Sequence, residues 1–467
     1  MPSASYGEAP SLGHTIFGTT DLGDERRTAR LVATFDLMHR HPGGTLPDKL
    51  PKPADLRAFY RMCDCEEETH AAHLAAARQH TLARIAAPTE PVLIIHDATE
   101  LDYTSLTSLA GELGQIGKGT HRGYICHNSL AVAADSGEVL GLLDQTLHHR
   151  VKVPQKETLA QHRARESRES LLWLRGTRHA PPQTIQVSDQ GSDTFEYLEH
   201  LHRSRQRFVV RACKARKVSL GHEDQAPRHE LHEASQLLPE LGRFTMDVQP
   251  QPGRVARKNA EFVIRGGAVL IHPPHVKQGQ HGDDPLPLWL VQVTEVAPPP
   301  GAEGIDWTLL TDEQVRELAD AWRVTSWYER RWIVEEYHKA KKTGCRIEDL
   351  QFCTTARLEP AIALLSIVAL TLLNLREIAR RPEAQERRAD TLLAPDYITV
   401  LSRWHYKETR PAMTVYEFCL ALARLGGHQN RKADGHPGWL VLWRGWTKLQ
   451  AMLDGFDAAK YKRCGQT

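Results

Sequence analysis

The chain has 467 residues, of which 25% are charged and 41% hydrophobic, the balance of an ordinary soluble globular protein with room for roughly two to four domains. Its 59 Lys and Arg nearly cancel 58 Asp and Glu, so a net charge of +1 excludes a globally basic nucleic-acid binder and leaves any such role to local clusters. Eight scattered cysteines form no C-x-x-C pair or zinc-ligand repeat, which fits a reduced, cytoplasmic compartment.

The first ten residues lack a basic stretch followed by an apolar run, so no secretory signal is expected. Residues 1–72 read as helical. Asp24 is a predicted N-cap, and Arg26, Arg27 and Arg30 follow on neighbouring turns, either a solvated face or contacts to phosphates and base edges. The proline-rich stretch Leu46–Pro53 reads as a connection into another helix with a basic and aromatic face.

From Pro91 the texture changes. Pro91–Tyr103 is an apolar, β-branched run that contains Asp97, and Arg122–Leu147 predicts two strands around a turn at Asp135–Glu138. A helix is expected over Lys156–Arg175, then a short strand, Thr184–Asp189, that ends in an acid. A helix around Phe195–His202 and a strand Phe208–Arg211 follow. This order is that of a ribonuclease-H-like α/β core, in which Asp97 and Asp189 lie at the ends of neighbouring strands. Either acid alone could be a turn-starter or cap.

Arg203, Arg205, Arg207, Arg211, Lys214, Arg216 and Lys217 make the densest basic cluster, a solvated loop or a phosphate-backbone track. Strands at Gly242–Val248, Glu261–Ile271 and Leu288–Val296 predict an inserted antiparallel sheet, with Gly266–Gly267 as a hairpin turn. In the next strand, Trp307–Thr311, Trp307 reads as a core or edge aromatic.

Trp327–Lys342 contains no Gly or Pro and predicts one helix. Tyr328, Arg331, Glu335 and Lys342 would fall within an arc of roughly 60° at 100° per residue. That face is either a solvated charged stripe or a metal-binding carboxylate beside phosphate-gripping cations. With Asp97 and Asp189 it completes three carboxylates, which repel one another unless cations intervene, so a divalent-metal site is the natural reading. Ala361–Leu375 is apolar but short for a membrane span and reads as a buried core helix. An Arg-rich link, Arg376–Arg388, leads to helices at Tyr416–Gly427 and Trp439–Gln450, where three tryptophans suit a packed or oligomeric surface.

These stretches resemble a known family. L-G-D-E-R-R-T-A-R-L, H-D-A-T-E-L, V-S-D-Q-G-S-D with R-F-V-V-R, and the signature Y-x2-R-x3-E-x6-K at Tyr328, Arg331, Glu335 and Lys342 are similar to bacterial DDE transposases of the insertion-sequence-four type, on the Tn-five branch. The resemblance implies an α+β fold: an N-terminal helical end-binding domain (1–72), a ribonuclease-H-like catalytic domain (73–371, with a β insertion at about 214–300) and a C-terminal helical dimerisation domain (372–467). It implies that Asp97, Asp189 and Glu335 hold two Mg2+ ions, with Mn2+ as a substitute. Tyr328, Arg331 and Lys342 would grip phosphates, Trp307 would stack a flipped base, and Arg211 would belong to the active-site side. Arg26, Arg27 and Arg30 would recognise the transposon end. The implied partners are double-stranded DNA, as terminal inverted repeats and as target, and a second copy of the chain, with no membrane and nucleoid association when DNA is bound. The implied activity is cut-and-paste transposition through a DNA hairpin. The alternatives are a nuclease or resolvase without strand transfer, and a non-catalytic end-binding inhibitor. After Asp189 the family's Arg and Glu are replaced by Gln190 and Gly191, two positions away from the pattern.

Overall fold

Local chemistry makes residues 11–85 largely helical. Asp24 accepts from the Arg26 N–H at 2.8 Å and caps α2 (Glu25–Arg40), as its position predicted. Around it stand α1 (Leu12–Phe17), α3 (Leu46–Lys49), α4 (Pro53–Met62) and α5 (His70–Ile85). The proline-rich stretch read as a connection contains the single turn α3, because proline suits a first helical turn and Thr45 and Asp48 close a capping box. On α5, His73 Nε2 lies 2.7 Å from Glu68 Oε2 and its Nδ1 lies 3.2 Å from the Pro360 carbonyl, all of it buried. This computed structural model describes residues 11–464 except 152, 154, 155, 224, 249–254, 276–278 and 432–434. The opening ten residues, and the expectation about a secretory signal, lie outside them.

Next come β1 (Val92–Asp102), β2 (Gly114–Gln115), β3 (Arg122–Ala133) and β4 (Val139–His148). The predicted β3–β4 turn is present, and Gly137 takes its left-handed position at φ 72°. The helix expected over Lys156–Arg175 is instead two short ones, α6 (Leu159–Ala164) and α7 (Leu171–Gly176). Arg168, in the turn between them, is drawn inward to Glu196 through two bonds of 2.8 and 2.9 Å, which a straight solvated helix would forbid. Then follow β5 (Ile185–Ser188), α8 (Phe195–Arg203) and β6 (Arg207–Arg211), as read from the sequence. The order β4-β3-β1-β5-β6, with β1, β5 and β6 parallel and β3 and β4 antiparallel, is a ribonuclease-H-like core.

The insertion adds β7 (Lys217–Leu220), β8 (Arg228–Glu230), α9 (Leu231–Leu237), β9 (Glu240–Val248), β10 (Arg257–Ile271), β11 (Leu286–Glu295) and β12 (Asp306–Thr311). It is not a separate sheet: β12 pairs antiparallel with β6, so the insertion extends the core into one sheet of twelve strands. Gly266–Gly267 is not a hairpin turn but the middle of β10, paired to Val291 and Leu290. Its need for glycine is steric. A Cβ on Gly266 would come 2.8 Å from Val315 Cγ1, and one on Gly267 2.9 Å from Leu238 Cδ2.

After the sheet come α10 (Leu318–Glu329), α11 (Trp332–Lys339), a wide π-type turn over Ala340–Gly344, and α12 (Thr355–Ala379). The 25 residues of α12 are apolar enough to cross a membrane by length and composition, yet 81% of that apolar window is buried within the protein. It is the core helix expected at 361–375, lengthened at both ends, so Arg376 belongs to it rather than to a link. The last helices are α13 (Pro395–Tyr406), α14 (Val415–Leu425) and α15 (Trp439–Cys464). Trp439, Trp443 and Trp446 are buried inside the chain, the first two stacked at 5.3 Å, and are therefore packing residues rather than a free surface. One cluster of buried side chains runs from Phe17 and Phe35 through Leu93 and Leu130 to Leu364 and Trp443. Cys63, Cys65, Cys126, Cys213, Cys345, Cys353 and Cys419 are free thiols.

The steric reading of β10 has a direct check. Asparagine suits a hairpin turn but not a buried strand, so Gly266→Asn is expected to destabilise the chain by about 1–3 kcal/mol in urea unfolding.

Candidate active site

Parallel pairing of β1 with β5 aligns His96 with Ser188, so the next residue on each strand, Asp97 and Asp189, stand side by side at the sheet edge. Asp97 Oδ1 accepts from the Ala98 N–H at 2.7 Å. Asp189 caps a short turn, with Oδ1 accepting from the Gly191 N–H at 2.9 Å. The third acid arrives on α11. Arg331 donates from Nη1 to Asp97 Oδ2 at 3.3 Å and from Nη2 to Glu335 Oε1 at 2.7 Å, so one guanidinium joins two of the three predicted acids.

That guanidinium is 12% exposed and Asp97 15%, which makes the electrostatics strong. Burial pushes the Asp97 carboxyl up to about 7, and Asp189 and Glu335 add to the shift while Arg331 opposes it. Burial draws the Arg331 guanidinium down, but Tyr328, Glu335 and Asp97 outweigh it and hold it above its ordinary value. Like charges share the site and one buried cation separates them.

Tyr328 and Trp307 meet edge-on beside Arg331, with ring centroids 5.3 Å apart. Tyr328 is buried, and that burial raises its phenol while Arg331 and Arg211 act against the shift. Arg211 closes this side. It donates to the Asp306 carbonyl at 3.2 Å, and with the Gln190 amide oxygen turned toward it, both Nε and Nη2 donate to that oxygen at 3.1 Å. Thus Asp97, Asp189, Glu335, Arg331, Tyr328, Trp307 and Arg211 are brought together from β1, β5, β6, β12, α10 and α11.

Two expectations need correction. Trp327–Lys342 is not one helix: it breaks at Arg330–Arg331, where Arg330 donates to the carbonyls of Ala134 and Asp135 on the β3–β4 turn. The wide turn at Ala340–Gly344 then adds rotation that a 3.6-residue repeat does not contain. Lys342 therefore leaves the face shared by Tyr328, Arg331 and Glu335, and pairs with Glu348 at 3.1 Å, at the far end of β1. The basic cluster is not one phosphate track either. Arg203 pairs with Glu199, Arg207 with Glu313, Arg216 with Asp193 and Lys217 with Glu230, which leaves Arg205, Arg211 and Lys214 unclaimed by acids among the described residues.

Other residues matter that the sequence reading passed over. Lys341 is fully buried, donates to Asn128 Oδ1 at 3.0 Å and lies 4.6 Å from the centre of the Tyr337 ring; Asn128 is the cross-strand neighbour of Asp97. Trp332 is exposed beside Arg331, whose guanidinium lies 5.5 Å from its ring. Gly191 has a steric role, since a Cβ there would come 3.0 Å from the Trp173 ring. Trp332 has a sequence signal, an apolar residue on a charged helix; Lys341 has none beyond its position beside Lys342.

The three acids are hard oxygen donors at one edge and suit a small divalent cation chemically. Among the described residues, however, no group of three or more His, Cys, Asp or Glu side chains is gathered closely enough to hold one. Arg331 stands between Asp97 and Glu335, the charge balance that a cation would otherwise supply.

Away from the sheet, Arg26 pairs with its own cap Asp24, Arg27 with Glu67 at 2.7 Å and Arg30 with Asp55 at 3.1 Å. Residues 14–67 match the family of transposase DNA-binding domains. The match spans α1 to α4 and includes all three arginines, and it supports a transposase that binds DNA.

The acid edge predicts a stability signature. Asp97 titrates at about 7 in the fold against 3.8 ordinarily, so its contribution to stability is complete below pH 4 and is lost as pH rises through 7. Asp97→Asn, which cannot ionise, is expected to melt higher than the parent at pH 8 without divalent metal, by up to a few kcal/mol. The gap should close toward pH 4 in thermal unfolding.

Proposed function

We propose that the chain is a cut-and-paste DNA transposase of the insertion-sequence-four type, related to the Tn-five branch, with Asp97, Asp189 and Glu335 as its catalytic acids. The observation that carries this reading is the Arg331 bridge. It joins Asp97 to Glu335 in front of the parallel strand pair that sets Asp97 beside Asp189. The transposase DNA-binding match at residues 14–67 supports the same reading independently.

The three carboxylates would hold two Mg2+ ions, which activate an attacking hydroxyl and stabilise the leaving oxygen when bound. The protein's own groups act around them. Arg331 is at hydrogen-bond distance from two of the acids, and its guanidinium is a forked donor that would also suit a phosphate oxygen beside them. Arg211 and Tyr328 offer donors beside it, and Lys342 would hold the strand further along β1. Trp307, half-buried against Tyr328, presents an aromatic edge on which an unstacked base can rest while the end folds into a hairpin. Exposed Trp332 lines the opposite side of Arg331. Two copies of the chain would pair two transposon ends, and the reaction would take place at the nucleoid of a cytoplasm.

Two experiments test this. Asp97→Ala, incubated with a linear duplex carrying the terminal repeats and Mg2+, is expected to lose cleavage by a factor of about 10³ or more while end binding in a gel shift is unchanged. Persistent cleavage would refute the assignment of the acids. Trp307→Ala is expected to nick the end normally and to accumulate the nicked species, with hairpin formation slowed at least tenfold; equal rates for both steps would remove Trp307 from the reaction.

A further inference from the structure

A hollow opens one loop away from the acid edge. Its volume is about 570 Å3, within the range of roughly 300–1,000 Å3 that small-ligand pockets occupy. The loop that starts at Asp189 ends at Asp193, and Asp193 lines the cavity together with Thr194, Phe195, Arg168, Arg216 and Lys214. Its far wall is His281, edge-on to Phe195 at 4.9 Å.

The charge of this cavity is set by which acids are already taken. Glu196 receives both bonds from Arg168, Asp193 is held by Arg216, and Glu169 by Arg150. Arg165, another lining residue, is paired with Glu157 at 3.4 Å. Lys214 is exposed and has no ion-pair partner among the described residues, so one positive charge is left over. Hydrogen-bond donors are also in surplus. Arg168 and Arg216 have side chains only 5% and 9% exposed, and each keeps one guanidinium nitrogen, Nε and Nη1, with no acceptor. His281 donates its Nδ1–H to the Gly282 carbonyl at 2.8 Å and offers the cavity the side of its ring. Buried donors without acceptors are unfavourable, and a ligand rich in acceptors would relieve them. The N-terminus of α8 opens on the same space and favours an anion.

One uncompensated cation, two unused guanidinium donors and an aromatic wall describe a phosphodiester with its sugar and base. A phosphodiester carries a single negative charge. We propose that this cavity is a second nucleotide-binding pocket that holds one phosphodiester, with its nucleoside against Phe195 and His281, of the DNA strand processed at the acid edge. The inference rests on the DNA-processing reading above and adds a path to it. Arg211 stands on the acid side and Lys214 on the cavity side of the same segment, three residues and at most about 10 Å of chain apart. A strand held by Arg211 and Tyr328 therefore reaches Lys214 within a few nucleotides, and aromatic contact there tolerates any base.

The test uses the full chain in EDTA, so that no cleavage occurs, with a fluorescein-labelled 20-nucleotide single strand read by anisotropy. Lys214→Gln is expected to weaken binding fivefold or more and to lower the salt slope by about one. Arg424→Gln, on the remote α14, should leave both unchanged. Unaltered melting temperatures establish that both variants fold. Strands carrying 5-iododeoxyuridine at successive positions should crosslink, at one or two of them, to peptides that contain Phe195 or His281. Parent-like binding by Lys214→Gln, or crosslinks confined to other peptides, would overturn the pocket. Displacement of the strand by micromolar thymidine monophosphate would overturn the strand assignment in favour of a free nucleotide. Cleavage of terminal repeats in Mg2+ is read separately, so loss of the catalytic reading leaves strand binding in EDTA visible, and the reverse.

Discussion

Arg331 sits where Asp97, beside Asp189 at the sheet edge, meets Glu335 on α11. Its two bonds, to Asp97 at 3.3 Å and to Glu335 at 2.7 Å, offset part of what burial and the neighbouring carboxylates do to the Asp97 carboxyl, which is still pushed up to about 7. Much of the surrounding architecture serves that one arrangement. Parallel pairing of β1 and β5 sets two of the acids, and α11 must then approach at the height of Asp97 to deliver both the third acid and the cation.

What holds α11 there comes from distant parts of the chain. Arg330, at the break before it, is fastened to the carbonyls of the β3–β4 turn, so the helix cannot run on in line with α10. At its other end Gly344 lets the Trp439 ring approach: a Cβ there would come 2.7 Å from the indole. The stacked tryptophans of α15 thus press on the wide turn that follows α11, and that turn sends Lys341 inward to Asn128 and Lys342 outward to Glu348. Burial lowers the Lys341 ammonium from its ordinary value, yet its neighbours include Cys126 and the Asp97 side of the sheet, which favour the charge. The C-terminal helices, whatever they do between copies, also shape the acid edge within one copy.

The parts of the fold legible in the sequence are those where a two-residue or 3.6-residue repeat meets a terminating acid or glycine. β1 ends its buried run at Asp97, β5 at Asp189, and the β3–β4 turn carries Gly137; each has a local cause, and each stands where it was read. What was not legible depends on partners far away in the chain. Gly266–Gly267 looks like a turn until Val315 and Leu238 are seen packed against it. The Lys156–Arg175 stretch has helical composition, but Glu196 withdraws Arg168 from it. The face of Tyr328, Arg331, Glu335 and Lys342 was drawn on a straight cylinder. Three of its members hold because they lie on either side of a shallow break, and the fourth is lost because it lies within a π-type turn. The basic cluster failed in the same way, since its acids, Glu199, Glu313, Asp193 and Glu230, are scattered along the sequence.

The N-terminal arginines follow the same logic with the opposite consequence. Arg26, Arg27 and Arg30 lie in the segment that matches transposase DNA-binding domains, and in the free chain each faces a carboxylate. These pairs are exposed and screened by solvent, so they hold the arginines only weakly. The acids keep this surface near neutral, in keeping with a chain whose net charge is only +1. Were DNA to displace them, as the proposed end recognition requires, Asp24, Glu67 and Asp55 would be left unpaired and would take up cations from solution, which would offset some of the counterions released from the DNA. Salt dependence at this surface would then be shallower than three arginine contacts would give alone. In that proposal, discrimination between DNA ends would depend less on attraction at a distance than on whether the arginines find acceptors good enough to leave their carboxylates.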